Sequence, residues 1–362
     1  MRVHLIDPSA YTPPYDRALA SALVAAGAQV RLTTTRFTAG DVPPAPGVTV
    51  DEGFYGRVPA GRARVAAKLA RHVPGMLRAS RVRADVTHFQ WLAVQPVDLG
   101  LLRAFASPTV LTAHDVLPRE PPGRRELMRA AQRRLYGAVD AVVVHSEHGR
   151  RRLVDEVGLD PARIRTIPHG VLPMPDGGSL PAELRDTGEP VVLLAGLLRP
   201  YKGLDVLLDA WKGITGAQLW IVGLPRMDPA PLRRAAAAGD GVSLVERFVT
   251  DAELGALLRR ADLVVLPYRE IDQSGVLFAA LAAGRPLVLS DVGGFPEVAA
   301  TGAAELVAPG DPAQLRATLE GLLSDGVARR GMAAAAVRAA DGPYAWGPIA
   351  RAHLDLYADL TR

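Results

Sequence analysis

Apolar and polar positions along this chain fall into two series in which short, continuous apolar runs alternate with stretches of helical period. In the first series Val3–Ile6, Val30–Thr34, Val86–Phe89, Thr109–Ala113, Ala141–His145 and Ile164–Ile167 read as strands, and an amphipathic helix runs from Asp16 to about Ala26. In the second, Val191–Ala195, Gln218–Val222, Val242–Val245, Leu263–Leu266, Pro286–Ser290 and Glu305–Val307 read as strands. Helices at about 204–212, 251–260, 275–284, 312–324 and 327–340 separate them. Strands that are apolar at consecutive positions are covered on both faces, as in a parallel sheet with helical crossovers. Ser146, directly after a strand, is placed to cap the helix that follows it.

The pattern predicts an α/β fold of two Rossmann-like, doubly wound domains facing each other across a cleft. An N-terminal domain is expected over 1–172. A linker follows over 173–186, marked by Pro173, Pro175, Gly177-Gly178-Ser179 and Pro181. A C-terminal domain covers 187–342, and a closing helix within 343–362, Tyr344 to Leu360 after Gly342-Pro343, crosses back to the first domain.

A length of 362 residues agrees with two cores rather than one. Cysteine is absent, so disulfides and thiolate metal sites are excluded and a cytoplasmic setting fits. No apolar run approaches the roughly 20 residues of a membrane span, and Met1-Arg2-Val3 leads directly into a strand, leaving no room for a signal peptide. Net charge is +4, but residues 1–181 carry +8 and the remainder −4. Eight basic residues and no acid lie between Arg57 and Arg83. A solvated helix face in an arginine-rich chain is the plainer reading of that run; peripheral contact with an anionic membrane surface is the sharper one. Nucleic acid is not an expected partner, because aromatics are few and not interleaved with the basic run.

Four places at strand ends carry candidate chemistry. Gly196, Arg199, Lys202 and Gly203 follow Val191–Ala195 and open a helix. Two fixed cations there suit phosphate, and a pair of surface charges is the alternative. Asp272, Gln273, Ser274 and Gly275 precede another helix, whose first N–H groups suit phosphate or sugar oxygens, unless Ser274 simply caps it. Asp291-Val292-Gly293-Gly294-Phe295-Pro296-Glu297 permits close backbone approach to a ligand, or forms an ordinary tight turn. His114-Asp115 and His88, with Gln90 two positions later, close two strands of the first half. Each is a functional candidate beside a packing role; His145 and His169 are assigned to packing or loops. No HExxH spacing or acidic cluster marks a metal site. Neither a Gly-x-Gly-x-x-Gly dinucleotide turn nor a Gly-x4-Gly-Lys-Ser/Thr phosphate loop occurs.

In order and spacing these segments resemble the retaining glycosyltransferases of family 4, group 1 type, which have the GT-B fold. The resemblance rests on Gly196…Arg199-x-x-Lys202-Gly203, on Phe248-Val249 before Asp251-Ala252-Glu253-Leu254, and on Pro267…Ser274-Gly275. It continues through Ala282-Ala283-Gly284-Arg285-Pro286, the 291–297 turn and Tyr344-Ala345-Trp346…Ile349-Ala350. It implies a nucleotide-diphosphate sugar donor, an unidentified hydroxyl acceptor, retention at the anomeric carbon, and neither metal nor cofactor. It also implies that Arg199 and Lys202 hold the diphosphate, with Arg247, Phe248 and Val249 near the base. Gly275, Val276 and Leu277 would present N–H groups, and His114 would sit by the donor sugar with Asp115 beside it. The family's paired glutamates fall on Asp272, which keeps a carboxylate for sugar hydroxyls, and Ala280, which cannot hold ribose. Its Gly-Gly turn after the first strand is replaced by Thr12-Pro13-Pro14-Tyr15-Asp16, so Tyr15 and Asp16, with His88, Gln90 and Asp115, are expected on the acceptor side, unless Asp16 only caps the helix. A sugar-nucleotide epimerase or a phosphorylase on the same scaffold, and a non-catalytic nucleotide-sugar binder, are the alternatives.

Overall fold

The computed structural model describes residues 1–38, 40, 42–56, 63–117 and 125–362, with the side chains of 63, 64 and 125–128 outside that description. Two compact units emerge: one of Met1–Gly170 with Trp346–Arg362, the other of Val171–Ala345.

The first unit is built on a seven-stranded, all-parallel sheet of β1 (Arg2–Asp7), β2 (Gln29–Thr34), β3 (Thr49–Asp51), β4 (Val86–Phe89), β5 (Thr109–Thr112), β6 (Ala141–Val144) and β7 (Ile164–Thr166). Its strand order is β3-β2-β1-β4-β5-β6-β7. The winding therefore reverses between β1 and β4, paired from Val3↔Val86 to Ile6↔Phe89. Helices α1 (Pro13–Ala25), α2 (Ala63–Ala79), α3 (Gln95–Leu101), α4 (Arg125–Gly137) and α5 (Glu147–Arg152) connect the strands. Ser146 caps α5 through Gly149 N–H at 3.1 Å. Helix α1 begins at Pro13, three residues before the sequence suggests, because two prolines fit a first turn that needs no N–H donors.

The second unit has a six-stranded parallel sheet of β8 (Val191–Ala195), β9 (Gln218–Val222), β10 (Val242–Val245), β11 (Leu263–Leu266), β12 (Leu287–Ser290) and β13 (Ala304–Val307), in the order β10-β9-β8-β11-β12-β13. Its helices are α6 (Leu204–Trp211), α7 (Ala230–Ala237), α8 (Asp251–Arg260), α9 (Gly275–Ala282), α10 (Phe295–Ala299), α11 (Pro312–Ser324) and α12 (Gly326–Asp341). The winding reverses between β8 and β11. Along β8, Val191, Leu193 and Ala195 enter one core while Val192 and Leu194 enter the other, and none is exposed. Burial on both faces is thus why the run is continuously apolar.

Residues 173–186, which the sequence marks as a linker, lie against the second unit. Met174, Leu180 and Leu184 pack on its core, and Arg259 donates to the Pro175 carbonyl at 3.1 Å. The chain then returns to the first unit in α13 (Trp346–Thr361), where Ile349, Ala350, Leu356 and Tyr357 join the core under β1 and α1.

Candidate functional site

Open parallel sheets bind ligands outside the carboxyl ends of their strands, where the winding reverses. In the second unit that place lies beyond β8 and β11. Ala195 ends β8, and Gly196 (φ +101°) turns the chain into the short turn Pro200–Lys202. Lys202 folds back and is only 5% exposed. Its Nζ donates to the Ala195 carbonyl at 3.2 Å and lies 5.1 Å from the Tyr268 ring centroid. A Cβ on Gly196 would stand 2.9 Å from that Nζ and 3.2 Å from Val276 Cγ2, so only glycine lets backbone, ammonium and α9 converge. Gly203, at φ +67°, closes the turn; a Cβ there would lie 2.0 Å from the Pro267 carbonyl oxygen beyond β11. Arg199 is exposed on the same turn. The pair is thus one exposed and one buried cation, not two surface charges.

At the start of α9 the Ser274 side chain makes no capping bond, and Gly275 and Val276 N–H groups have no partner among the described residues. Ser274 is therefore not the helix cap that its position allows. Leu277 differs from expectation: its N–H already donates to the Ser274 carbonyl at 3.1 Å and its side chain is core. Asp272 is buried beside this turn, and its carbonyl accepts from Gly294 N–H at 3.3 Å. A Cβ on Gly293 would meet the Ile271 carbonyl oxygen at 1.9 Å, so protein backbone by itself requires glycine at that position of the 291–297 turn. Ala280 is fully buried in the core and presents nothing to a ribose.

Arg247 also needs correcting as a base contact. Its guanidinium is shared by Glu183 (2.7 and 3.2 Å) and Glu253 (2.7 and 3.1 Å). Hydrogen bonds from Arg247 hold the Glu253 carboxyl down to about 2, and Glu253 completes the capping box of α8 with Thr250. What this segment leaves open is the Phe248 ring, 49% exposed, beside a half-buried Val249.

In the first unit the carboxyl ends of β1, β4 and β5 carry a second constellation. His114, just past β5, is half-buried; its Nε2 lies 3.2 Å from Gln90 Oε1 and its Nδ1 3.3 Å from His145 Nε2. Trp91 stacks on its ring at 5.0 Å, and Tyr15 meets it edge-on at 5.0 Å. Burial, then the neighbouring His145, His169 and His88, push the His114 pKa well down, so its imidazole is neutral. Asp115 is half-buried next to it, and its carbonyl accepts from Tyr136 at 3.2 Å.

Several expected acceptor contacts lie beneath this surface. Tyr15 is buried among His114, His145, His169 and Trp346. Asp16 is buried and hydrogen-bonded to Asp7 and to the Thr12 hydroxyl (3.1 Å). Asp7 accepts backbone N–H groups of Ser9, Tyr11 and Thr12, which favours its ionised form, so the shared proton resides on Asp16. His88 is fully buried, with Nδ1 2.6 Å from Tyr357 Oη and Nε2 2.8 Å from Thr112 Oγ1, contacts that fasten α13 to the sheet. Gln90 is buried too, though its Nε2 has no partner beside His114. Sequence reasoning missed Trp91, whose Nε1 donates to Thr12 Oγ1 at 3.0 Å, and Tyr11, 59% exposed and edge-on to Trp91 at 5.3 Å. An aromatic pair at neighbouring strand ends was the available signal. His145 and His169, assigned to packing, do pack, and they do so around His114. Among the described residues no group of three His, Cys, Asp or Glu side chains could hold a metal ion.

Two doubly wound parallel units, each with a polar site at its reversal point, define a class of group-transfer enzymes with the GT-B fold. The family model for glycosyltransferase family 4 matches residues 17–173, and that for glycosyl transferases group 1 matches 189–325. The chain is 28% identical to a D-inositol 3-phosphate glycosyltransferase of Xylanimonas cellulosilytica, over 95% of this chain and 90% of the relative. It is 30% identical to a GDP-mannose:glycolipid 4-beta-D-mannosyltransferase of Xanthomonas campestris, over 59% of this chain and 63% of the relative. Among solved structures, sucrose-phosphate synthase of Thermosynechococcus elongatus superposes with a TM-score of 0.74 at 22% identity, covering 99% of both chains. Anabaena HepE in complex with UDP-glucose gives 0.71 at 17%, covering 99% of this chain and 100% of that one. The chain belongs to the group 1, family 4 glycosyltransferases.

Proposed function

We propose that this glycosyltransferase moves a sugar from a nucleoside-diphosphate sugar to a hydroxyl acceptor with retention at the anomeric carbon, and that it does so without a metal ion. The observation that carries this reading is the convergence of the buried Lys202 ammonium, the Gly196 backbone and the uncommitted N–H groups of Gly275 and Val276. A cation and a helix N-terminus at one point suit a diphosphate. The GDP-mannose in one relative's name and the UDP-glucose in one structural neighbour support this donor class and leave the base open.

In the reaction the bond between the anomeric carbon and the phosphate oxygen breaks, and a bond to the acceptor oxygen forms on the same face. The leaving phosphate keeps the electron pair and takes the acceptor's proton, so no side-chain base is required. Negative charge grows on the phosphate in the transition state, where Lys202 and the exposed Arg199 stabilise it. Asp272 accepts from sugar hydroxyls. The neutral His114 positions the sugar by hydrogen bonding, while Trp91, Tyr11 and Asp115 form the surface that the acceptor meets.

A thermal-shift screen against UDP-, GDP-, ADP- and TDP-sugars tests the donor site. One class should raise Tm, and a flat response across the panel would sink the assignment. With the responding donor, product analysis by NMR should show the donor's anomeric configuration and turnover should survive chelator. An inverted product removes retention, and activity lost to chelator and restored by a divalent ion removes metal independence.

A further inference from the structure

The carboxyl ends of β5, β6 and β7 carry one polar row whose order the sheet itself sets. Thr112 pairs with Val143, and Val144 with Thr166, so the same register continued brings His114 beside His145 and His145 beside Ile167. His145 and Ile167 are both buried, while His114 is half-buried and stays within reach of a ligand. His145 Nδ1 lies 3.0 Å from the Ile167 carbonyl oxygen, and its Nε2 lies 3.3 Å from His114 Nδ1. At the other end of the row His114 Nε2 lies 3.2 Å from the buried carboxamide of Gln90.

A carbonyl oxygen only accepts, so His145 Nδ1 carries a proton. Burial keeps that imidazole neutral, with its pKa pushed down to about 4. A neutral ring has a single N–H, so His145 Nε2 presents a lone pair. The hydrogen between the two rings therefore belongs to His114 Nδ1, which donates to His145. His114 is neutral as well, so its own Nε2 is again a lone pair. Gln90 agrees with this direction. Its Oε1 cannot donate to a lone pair, whereas a half-turn of the carboxamide brings up Nε2, which otherwise has no partner. The hydrogen bonds thus run one way, from Gln90 through His114 and His145 to a main-chain carbonyl.

We propose that His145 is a positioning residue for sugar transfer: anchored on the Ile167 carbonyl, it fixes His114 as the Nδ1–H tautomer, whose Nε2 accepts a hydrogen bond from a hydroxyl of the donor sugar. A ligand at Nε2 must bring a donor, so a sugar hydroxyl fits there and a phosphate oxygen, itself an acceptor, does not. The Gln90 contact of 3.2 Å is at the long end of the hydrogen-bond range and gives way to a closer hydroxyl. The inference deepens the glycosyltransferase reading and rests on it, because that reading places the donor sugar at His114.

Nitrogen-15 NMR of the full chain with labelled histidine tests it, the His114 signals being those lost in His114→Gln. At neutral pH His114 should show a protonated Nδ1 and an unprotonated Nε2. The nucleotide sugar that raises Tm should shift the Nε2 signal, and its nucleoside diphosphate alone should not. Turnover supplies a second readout. His145→Phe keeps an aromatic ring in place but removes the acceptor, and should lower kcat about 10–100-fold, the range for losing the partner that orients a working histidine. His145→Gln can donate to Ile167 and accept from His114, so it should retain the Nδ1–H tautomer and most of the activity. Were His145 there only to pack, the phenylalanine variant would be the better enzyme. An Nε2–H His114, an Nε2 signal that the nucleoside diphosphate moves as far as the nucleotide sugar, or a His145→Phe at least as active as His145→Gln overturns the inference. If the phenylalanine variant does not fold, the wild-type spectra and the glutamine variant decide. The expected tautomer in a chain that binds no nucleotide sugar overturns instead the proposed function and, with it, the role given to His145.

Discussion

At the scale of single residues, two ionisable side chains show what burial does to a charge. Lys202 is held under Gly196 by the end of its own strand, so its ammonium has one position to offer a ligand. Lys202→Ala should lower kcat by about 10²–10³, the range for removing one fixed donor from a developing oxyanion, with Tm little changed; wild-type turnover would refute its role. Asp16 is the second case. Burial and the adjacent Asp7 raise its pKa well above the ordinary carboxylate value, so the fold favours the protonated form. Its contribution is full below the unfolded value and is lost as pH rises through the folded one. Asp16→Asn should therefore raise Tm at pH 7.5 and lose that advantage near about pH 4; a gain independent of pH would contradict the shared-proton arrangement. The sequence showed Lys202 at a strand end but not its burial, because spacing does not reveal that the side chain folds back. Arg247 was legible as a cation near the site; its clamp was not, since Glu183 lies 64 residues away.

At the scale of elements, most strands were readable because their burial on both faces leaves unbroken apolar runs, as in β8, β9 and β11. Strand β3 was not, since a three-residue edge strand has little core to face. Helix α7 is eight residues long with Leu232 as its one buried residue, too little core-facing surface to stand out in the sequence. Turns depend on backbone proximity that no single segment encodes: Gly203 is required by the Pro267 carbonyl, 64 residues further on. Gly203→Ala should cost roughly 1–3 kcal/mol in chemical denaturation through the left-handed φ alone. The clash with Pro267 should displace Lys202 as well, so donor-induced stabilisation should fall in the folded variant. Unaltered donor response there would show that the turn does not set the site.

At the scale of the whole molecule, titration is divided unequally. All eight histidines fall in the first unit and none in Val171–Ala345. Burial lowers the pKa of His4, His88, His114, His145, His169 and His353, the first, fourth and last of these to about 4. Their folded values lie below the unfolded one near 6.5, so the stability they lend is complete above about pH 6.5 and is lost as pH falls towards 4. Calorimetry should show a transition that moves to lower temperature between pH 7 and pH 5 while a second, from the histidine-free unit, shifts far less. A single transition moving as a whole would contradict that division. The return of α13 has a consequence for biosynthesis. Tyr357 reaches His88 across 269 residues, and Ile349 and Leu356 complete a core begun by Val3 and Leu5. A chain emerging from the ribosome in order therefore exposes an unfinished first unit until its last turns are made, while the continuous second unit can close beforehand. Strands β1–β7, made before the second unit, are the ones that must wait for α13, which leaves them exposed to chaperones in the nascent chain.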